Sequence, residues 1–281
     1  MAKGVTVPIT ILTPKGSRTS FTPLREQVDA VVRDTRVAWF LATLNLRRDV
    51  FGLWLGKAWL VLEPLLQAGT YYVLLKYIFN LSGASVSFAT FFTAATFWRS
   101  HATITIGACN LLVDSGRFVG ADISLRIPYL EFLFSELLNF LIRFAVLIVF
   151  LSASGYVVGG SYVYLLYIAI AQFAFSFCLG IWLSVLGGFF RDLSRVVGHV
   201  VWLWWFFSPG LYSIGQVPDE IRWLYDLNPF AHIMPAMIEA ATNGLITEVG
   251  PITNILFVSL LLMIPGGLIA SQVKHRVLFR V

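Results

Sequence analysis

The sequence contains several apolar stretches that are each long enough to cross a lipid bilayer. The longest, residues 162–190, has no aspartate, glutamate, lysine or arginine. A membrane-spanning helix needs about 20 mostly apolar residues. Only 12% of the chain is charged, against roughly 25% in soluble domains. One water-soluble core could not cover so much apolar surface, so the sequence predicts an integral membrane protein.

Six such stretches predict an all-α membrane protein with six transmembrane helices. The predicted spans are residues 58–79, 86–113, 128–151, 162–190, 196–211 and 251–273. The fifth span should end at Ser208-Pro209-Gly210, because proline lacks a backbone donor and interrupts a helix. Residues 58–281 therefore form one transmembrane domain, and the segment 212–250 between the last two spans is less apolar than the spans themselves.

The first 57 residues precede the spans and divide into two parts. Residues 1–23 are rich in threonine, serine, proline and glycine and lack the apolar core of a signal peptide, so we expect a flexible N-terminal tail. In residues 24–57, apolar residues recur at helical spacing and charged residues occupy the positions between them. This pattern predicts an amphipathic helix that lies at the membrane interface.

Basic residues mark one side of this topology. Six spans place both termini on the same side, and 16 of the 20 lysine and arginine residues fall in the termini and loops of that side. The long segment 212–250 on the other side has Arg222 as its only basic residue against five acidic ones. Cytoplasmic loops are enriched in lysine and arginine, so we expect both termini in the cytoplasm.

The sequence lacks the motifs of catalysis, nucleotide binding and metal binding. Residues 52–57 are similar to a phosphate-binding loop, but three residues instead of four separate the glycines, and Ala58 stands where serine or threonine is required. No two histidines have the spacing of a catalytic zinc site, and there is no GxSxG motif. We expect no cofactor on this chain and no nucleic-acid partner, and membrane lipids surround it.

Several polar residues lie inside the predicted spans, where each would cost about 3 kcal/mol if exposed to lipid. They are Glu63, Arg99, His101, Glu131, Glu136 and Arg143. One interpretation is that they line a translocation route. The other is that they join helices or, near the cytoplasmic ends of spans, reach the interface. The sequence leaves both open.

Aromatic residues make up 15% of the chain and cluster from Trp202 to Phe207, near the predicted outer end of the fifth span. Tryptophans commonly form a belt at the membrane interface. Alternatively, aromatic rings could line a path for a carbohydrate, because the flat C–H faces of sugar rings stack on them. Composition alone does not choose between these interpretations.

Short motifs also occur along the chain in a characteristic order. They are Arg48-Asp49, Gly56, Trp59, Pro64, Trp98, Asn110-Leu111-Leu112, Ile127-Pro128, Phe190-Arg191-Asp192, Ser208-Pro209 and Asn228-Pro229-Phe230. In order and spacing they resemble the ABC-2 type permeases that export cell-surface polysaccharides, such as O-antigen, capsule, teichoic acid and galactan. The resemblance covers about residues 24–281.

The resemblance implies a half-transporter in the bacterial inner membrane. Two copies of the chain would form a homodimer around a channel. Two copies of a separate cytoplasmic P-loop ATPase would bind ATP and magnesium and would drive the export of a lipid-linked polysaccharide. The chain itself would be a transport subunit and not an enzyme. Two alternatives remain: an exporter of a drug, lipid or peptide with the same fold, and a membrane transferase that acts on a glycan or lipid.

The resemblance also implies roles for particular residues. Contacts with the ATPase would come from the interface helix and a coupling loop at 114–127, through Arg47, Arg48, Asp114, Arg117, Phe118, Asp122 and Arg126. The first, second and fifth spans would line the channel with Tyr71, Tyr72, Trp98, Arg99, Trp202 and Trp205. Short re-entrant helices in segment 212–250 would gate the external mouth, with Ser208, Pro209, Asn228 and Pro229 at the gate.

Overall fold

The structure is a computed structural model, and it describes most of the chain. The described residues are 6–13, 16–48, 55–80, 87–115, 124, 126–156, 161–210, 212, 214–244 and 248–278. Within these ranges the fold consists of ten α-helices and one small β-hairpin. The predicted helical fold is therefore confirmed for the described chain beyond residue 23.

The hairpin lies where the sequence predicted a flexible tail. β1 (Thr6–Thr13) pairs antiparallel with β2 (Gly16–Pro23), so that Thr6 lies opposite Pro23 and Thr13 opposite Gly16. This differs from the expectation for residues 1–23. Threonine, valine and isoleucine favour extended backbone because their branched side chains fit a pleated surface. That preference outweighs the proline and glycine content on which the expected tail rested.

The first helix packs along the fifth. α1 (Leu24–Arg48) contacts α5 (Arg126–Ala153), where the Asn45 amide donates to the Glu131 carboxylate and Trp39 meets Phe134 edge-on at 5.4 Å. Several apolar side chains of α1 remain exposed, namely Val28, Val31, Val32, Val37, Phe40 and Leu44. Exposed apolar side chains on a charged helix are typical of an interface helix. Its position in a membrane stays a prediction.

Each predicted span coincides with a helix. The remaining long helices are α2 (Trp59–Val73, extended by a π-helical turn Leu74–Ile78), α3 (Phe88–Ala108), α6 (Ser161–Gly187), α7 (Leu193–Phe206) and α10 (Val249–Leu278). By length and composition, three of the described helices could cross a membrane: α5, α6 from Tyr162 and α10 to Val273. α2 and α7 have only 15 and 14 residues, so the six-span topology stays a prediction.

α6 lies at the centre of the bundle. It packs against α3, α10 and α9 (Pro229–Asn243). In α6, 61% of the most apolar stretch is buried, whereas the share is 17% in α5 and in α10. α5 and α10 therefore turn apolar side chains outward along most of their length. Helices that are apolar on all sides are typical of a membrane environment.

The segment between α7 and α10 folds back into the bundle. It contains α8 (Asp219–Asp226) and α9, which begins after the N-cap residue Asn228 and ends at Gly244, where φ is 74°. The buried residues of α9 are Phe230, Ala231, Ile233, Met234, Ala236, Met237, Ala240 and Ala241. Residues 214–244 thus hold two helices in the segment predicted to be re-entrant, and α9 is part of the core.

α3 and α6 approach each other closely at the end of α6. A Cβ atom on Gly187 would overlap the carbonyl oxygen of Cys109, and one on Gly180 would lie 3.0 Å from the Cβ of Ala108. Small residues allow transmembrane helices to pack at short distances. The spacing of the two helices therefore depends on glycine at position 187. The short helix α4 (Leu111–Asp114) follows this contact.

Candidate functional site

A cavity of about 560 Å³ lies between α2, α3 and α7. Five of the six residues predicted to line a channel are found in its wall: Tyr71, Trp98, Arg99, Trp202 and Trp205. The sixth, Tyr72, lies elsewhere, with its ring against Phe88 and its hydroxyl 2.6 Å from the Lys76 Nζ. The structure thus brings most of the predicted residues to one place, and their role in transport stays a prediction.

Helical spacing explains why these three helices form one wall. Glu63, Gln67 and Tyr71 are four residues apart on α2, so they lie on one face of that helix. Trp98, Ala102 and Ile106 have the same spacing on α3. The sequence analysis missed Gln67, although its position midway between Glu63 and Tyr71 could have identified it.

Aromatic rings form one side of the cavity. Trp98 and Trp205 lie 5.4 Å apart between ring centroids, and Tyr71 lies 5.8 Å from Trp205 at an interplanar angle of 33°. Trp98 and Trp205 are buried, whereas Trp202 is 62% exposed. The cavity wall therefore contains two buried indole rings and, at the rim, one exposed indole ring on which a ring-shaped ligand could stack.

The tryptophan cluster of α7 divides between two environments. Trp204 and Trp205 point into the bundle, and Trp204 meets Trp98 edge-on at 6.0 Å. Trp202, Phe206 and Phe207 are exposed. Trp204 and Trp205 therefore belong to the core and the cavity wall, Trp202 lies at the cavity rim, and both interpretations of the cluster stay predictions.

One ion pair lies in the cavity wall. The Arg99 Nη2 is 2.5 Å from the Glu63 Oε2, which joins α3 to α2, and each side chain is 40% exposed. The Arg99 Nε, by contrast, is buried and has no hydrogen-bond acceptor among the residues that the structure describes. The pair is thus the charged part of an otherwise largely aromatic and aliphatic cavity.

A second polar group continues from this pair into the bundle. Arg143 of α5 is buried and donates to the Ser100 Oγ at 3.2 Å, and Thr103 donates to the Glu136 carboxylate at 2.9 Å. Arg143 lies within electrostatic range of Glu136, Glu63 and Arg99. Two positive and two negative side chains balance one another, which lowers the free-energy cost of charge inside a membrane. Glu136 and Arg143 therefore join helices away from the cavity.

His101 belongs to the packed core and not to the cavity. Its side chain is fully buried, and its Nδ1 lies 2.8 Å from the Ser176 Oγ of α6. The rings packed around it belong to Trp98, Phe175, Trp204 and Phe230. These residues come from α3, α6, α7 and α9, so His101 marks the point where the four helices meet.

The predicted gate residues lie together at the end of α7. The Asn228 Oδ1 accepts from the Trp204 Nε1 at 2.9 Å and from the Phe230 backbone N–H at 3.0 Å. Its Nδ2 donates to the Phe207 carbonyl at 2.9 Å and to the Ser208 Oγ at 3.4 Å. Pro209 follows Ser208 in the chain, and Pro229 is the first residue of α9. The sequence analysis missed Trp204 as the donor that holds Asn228.

A hydrogen-bonded tyrosine pair lies in the same region. The Tyr212 and Tyr225 hydroxyls are 2.7 Å apart, and the Tyr212 hydroxyl also donates to the Phe206 carbonyl at 3.0 Å. Burial, together with the hydrogen bond to Tyr225, raises the pKa of the Tyr212 phenol. Through these two hydrogen bonds Tyr212 connects α8 to the end of α7.

The residues predicted to couple to an ATPase are described only in part. Arg117, Phe118 and Asp122 lie outside the described residues, as does the side chain of Arg48. Arg47, near the end of α1, is exposed, as are Asp114 at the end of α4 and Arg126 at the start of α5. Their contact with an ATPase stays a prediction.

Comparison with known proteins places the chain in a family. Residues 41–241 match the ABC-2 type transporter family. The chain belongs to this family and is a multi-pass membrane component of a transporter. Two relatives, each named O-antigen export system permease protein RfbA of Klebsiella pneumoniae, are 28% identical to it over 226 residues. The alignments cover 79% of this chain and 86% and 85% of the two relatives.

Proposed function

We propose that this chain is the channel-forming subunit of an ATP-driven transporter that exports a lipid-linked cell-surface polysaccharide across the bacterial inner membrane. The observation that carries the proposal is the aromatic cavity between α2, α3 and α7 in a chain of the ABC-2 family. The names of the two relatives support a polysaccharide as the cargo.

The surface beside the cavity favours a second copy of the chain as its cover. Leu66 of α2 and Trp202 of α7 line the cavity rim and are 55% and 62% exposed. In a homodimer that pairs these surfaces, two cavities would join into one channel. The ion pair and the aromatic wall would then face the cargo, while α5 and α10 would remain on the outside toward lipid.

The chemistry of the wall suits a sugar polymer. Aromatic faces such as those of Tyr71 and the exposed Trp202 attract the C–H faces of sugar rings, and the Gln67 amide can exchange hydrogen bonds with hydroxyl groups. Such contacts are individually weak and similar from one sugar unit to the next. A polymer could therefore move along the wall without becoming trapped at one position.

α5 provides a connection from the cytoplasmic side to the cavity. It begins at Arg126, after the predicted coupling loop, and it packs along α1. Farther along, its buried Arg143 contacts Ser100 of α3, the residue next to Arg99 in the cavity wall. ATP binding and hydrolysis in the partner would move the loop, and α5 would transmit that movement to α3 through this contact.

Deletion of the gene in its native host tests the proposed cargo. We expect loss of the surface polysaccharide and accumulation of its lipid-linked form in the membrane fraction, both reversed by the wild-type gene. Unchanged surface polysaccharide, together with a new sensitivity to a drug or loss of a secreted lipid or peptide, would contradict the polysaccharide assignment and favour another cargo of the same family.

A further inference from the structure

The Arg99 guanidinium has more hydrogen-bond donors than the structure uses. An arginine side chain carries five N–H donors in a planar fork. In Arg99 the Nη2 pairs with Glu63, and the Nε is buried with no acceptor within the described part of the chain. The side chain is 40% exposed in the cavity wall. It therefore retains the capacity to bind a further anionic acceptor that enters the cavity.

We propose that Arg99 is an anion-binding residue of the cavity, which takes the phosphate group of a membrane-borne ligand. Glu63 is then the internal counter-ion that neutralises Arg99 when no ligand is bound. This inference rests on the proposed export function, because a lipid-linked cargo brings a charged head group into the membrane-spanning part of the protein.

The chemistry of the cavity wall suits a phosphate ligand. Guanidinium and phosphate match in shape, so that two parallel charge-assisted hydrogen bonds form at once. The low polarity of the surrounding aromatic wall strengthens such a contact relative to water. A volume of about 560 Å³ lies within the range of small-molecule pockets, roughly 300–1,000 Å³. The cavity in one chain is therefore large enough for a head group with an adjoining sugar, and Tyr71 and the exposed Trp202 offer aromatic faces to that sugar.

A comparison with Arg143 distinguishes an anion-binding role of Arg99 from a role that only connects helices. Arg143 is also an intramembrane arginine, but it is 3% exposed and lies outside the cavity wall. A residue that only joins helices can be buried in this way. Arg99 instead keeps its charge in the cavity wall, where it pairs with a carboxylate that is equally exposed. A phosphate that enters the cavity would compete with that carboxylate for the guanidinium.

Binding to the full-length protein in nanodiscs of phosphatidylcholine tests the inference. A polyprenyl diphosphate is titrated and compared with the uncharged polyprenol, and binding is followed by tryptophan fluorescence, since Trp98, Trp202 and Trp205 line the cavity. We expect saturable binding of the diphosphate at least tenfold tighter than of the alcohol. Equal binding of the two lipids would overturn the inference.

Four variants make the test specific. Arg99→Gln should weaken diphosphate binding at least tenfold, and Glu63→Gln should strengthen it several-fold because the competing carboxylate is removed. The double variant Glu63→Gln/Arg99→Gln leaves no unpaired charge, so it should fold normally and still bind weakly. Arg222→Gln, on α8 away from the cavity, should bind like the wild type. Wild-type affinity in a folded double variant would overturn the assignment.

A competition experiment distinguishes a lipid-borne phosphate from a free phosphate as the ligand. Inorganic pyrophosphate should compete with the lipid only at concentrations at least tenfold higher, and equal potency would overturn the membrane-borne ligand. Complementation of the deletion strain separates this inference from the proposed function. Normal surface polysaccharide with the double variant would refute the Arg99 site alone, whereas normal surface polysaccharide in the deletion strain itself would refute the export function.

Discussion

The indole Nε1 of Trp204 donates to the side-chain Oδ1 of Asn228 at 2.9 Å. This bond ties the last turn of α7 to the residue that caps α9. The next residue of α7, Trp205, lies in the cavity wall. α7 therefore contacts the predicted gate segment through Trp204 and contributes Trp205 to the cavity wall. A displacement of α9 would move α7, and the aromatic wall with it.

Replacement of Asn228 should loosen this connection. Asn228→Ala removes four hydrogen bonds and leaves the buried end of Trp204 without its acceptor, so we expect destabilisation of about 1–3 kcal/mol. Asn228→Asp keeps the acceptor oxygens and loses the two donated bonds, so its effect should be smaller. Thermal unfolding in detergent measures both, with the exposed Asn254→Ala on α10 as the control. An Asn228→Ala midpoint equal to that of the wild type would contradict this role.

Glycine at position 187 should be required for the close contact of α3 and α6. Gly187→Ala places a Cβ atom on the Cys109 carbonyl, and overpacking of this kind costs about 1–3 kcal/mol. Gly267→Ala on α10 is the matched control, because apart from the backbone of its own helix no described neighbour lies within 4 Å of the added Cβ. Folded yield and unfolding temperature should fall for the first variant only. Equal values for both would show that the helices are not in close contact.

Removal of cavity aromatics should slow export. Tyr71→Ala and Trp202→Ala should each reduce surface polysaccharide several-fold at unchanged protein level, since both side chains are partly exposed in the cavity wall. Trp98 is a poorer probe because it is 4% exposed, and its replacement by alanine would cost roughly 3–5 kcal/mol of stability. Phe257→Ala, on the outward face of α10, is the control. Full export by both cavity variants would refute the lining role.

Charge reversal at the predicted coupling loop should separate ATP hydrolysis from export. Arg117→Glu together with Arg126→Glu should leave the partner's ATPase active while the surface polysaccharide falls, because the polar contacts that carry the movement become repulsive. ATPase activity in proteoliposomes and surface polysaccharide in cells measure the two quantities. Arg222→Glu, in the segment predicted to be external, is the control. Unchanged export by the double variant would contradict the coupling role.

The helix positions were predictable because apolar stretches of sufficient length leave the chain few alternatives in a membrane. The pairing of charges was not. Glu63, Glu131 and Glu136 were all possible partners for Arg99 and Arg143, and only the packing of α2 against α3 selects Glu63 for Arg99. The sequence likewise gave no reason for Glu131 to contact Asn45 of α1.

The aromatic run of α7 shows a second feature that the sequence could not predict. Adjacent tryptophans have equal hydropathy, so composition could not separate Trp202, at the rim, from Trp204 and Trp205, which are held by neighbouring helices. The hairpin at residues 6–23 was missed for a related reason. Proline and glycine favour turns and flexible segments whereas threonine favours strands, so composition pointed in both directions, and pairing with a second strand decides between them.

The central claim is that this chain is one half of an ATP-driven transporter, and its native stoichiometry tests that claim most directly. The tagged chain would be purified in mild detergent from its native host, and the mass and composition of the complex would be measured. We predict two copies of the chain with two copies of a P-loop ATPase. A chain that purifies without an ATPase, under conditions that preserve other membrane complexes, would contradict the account.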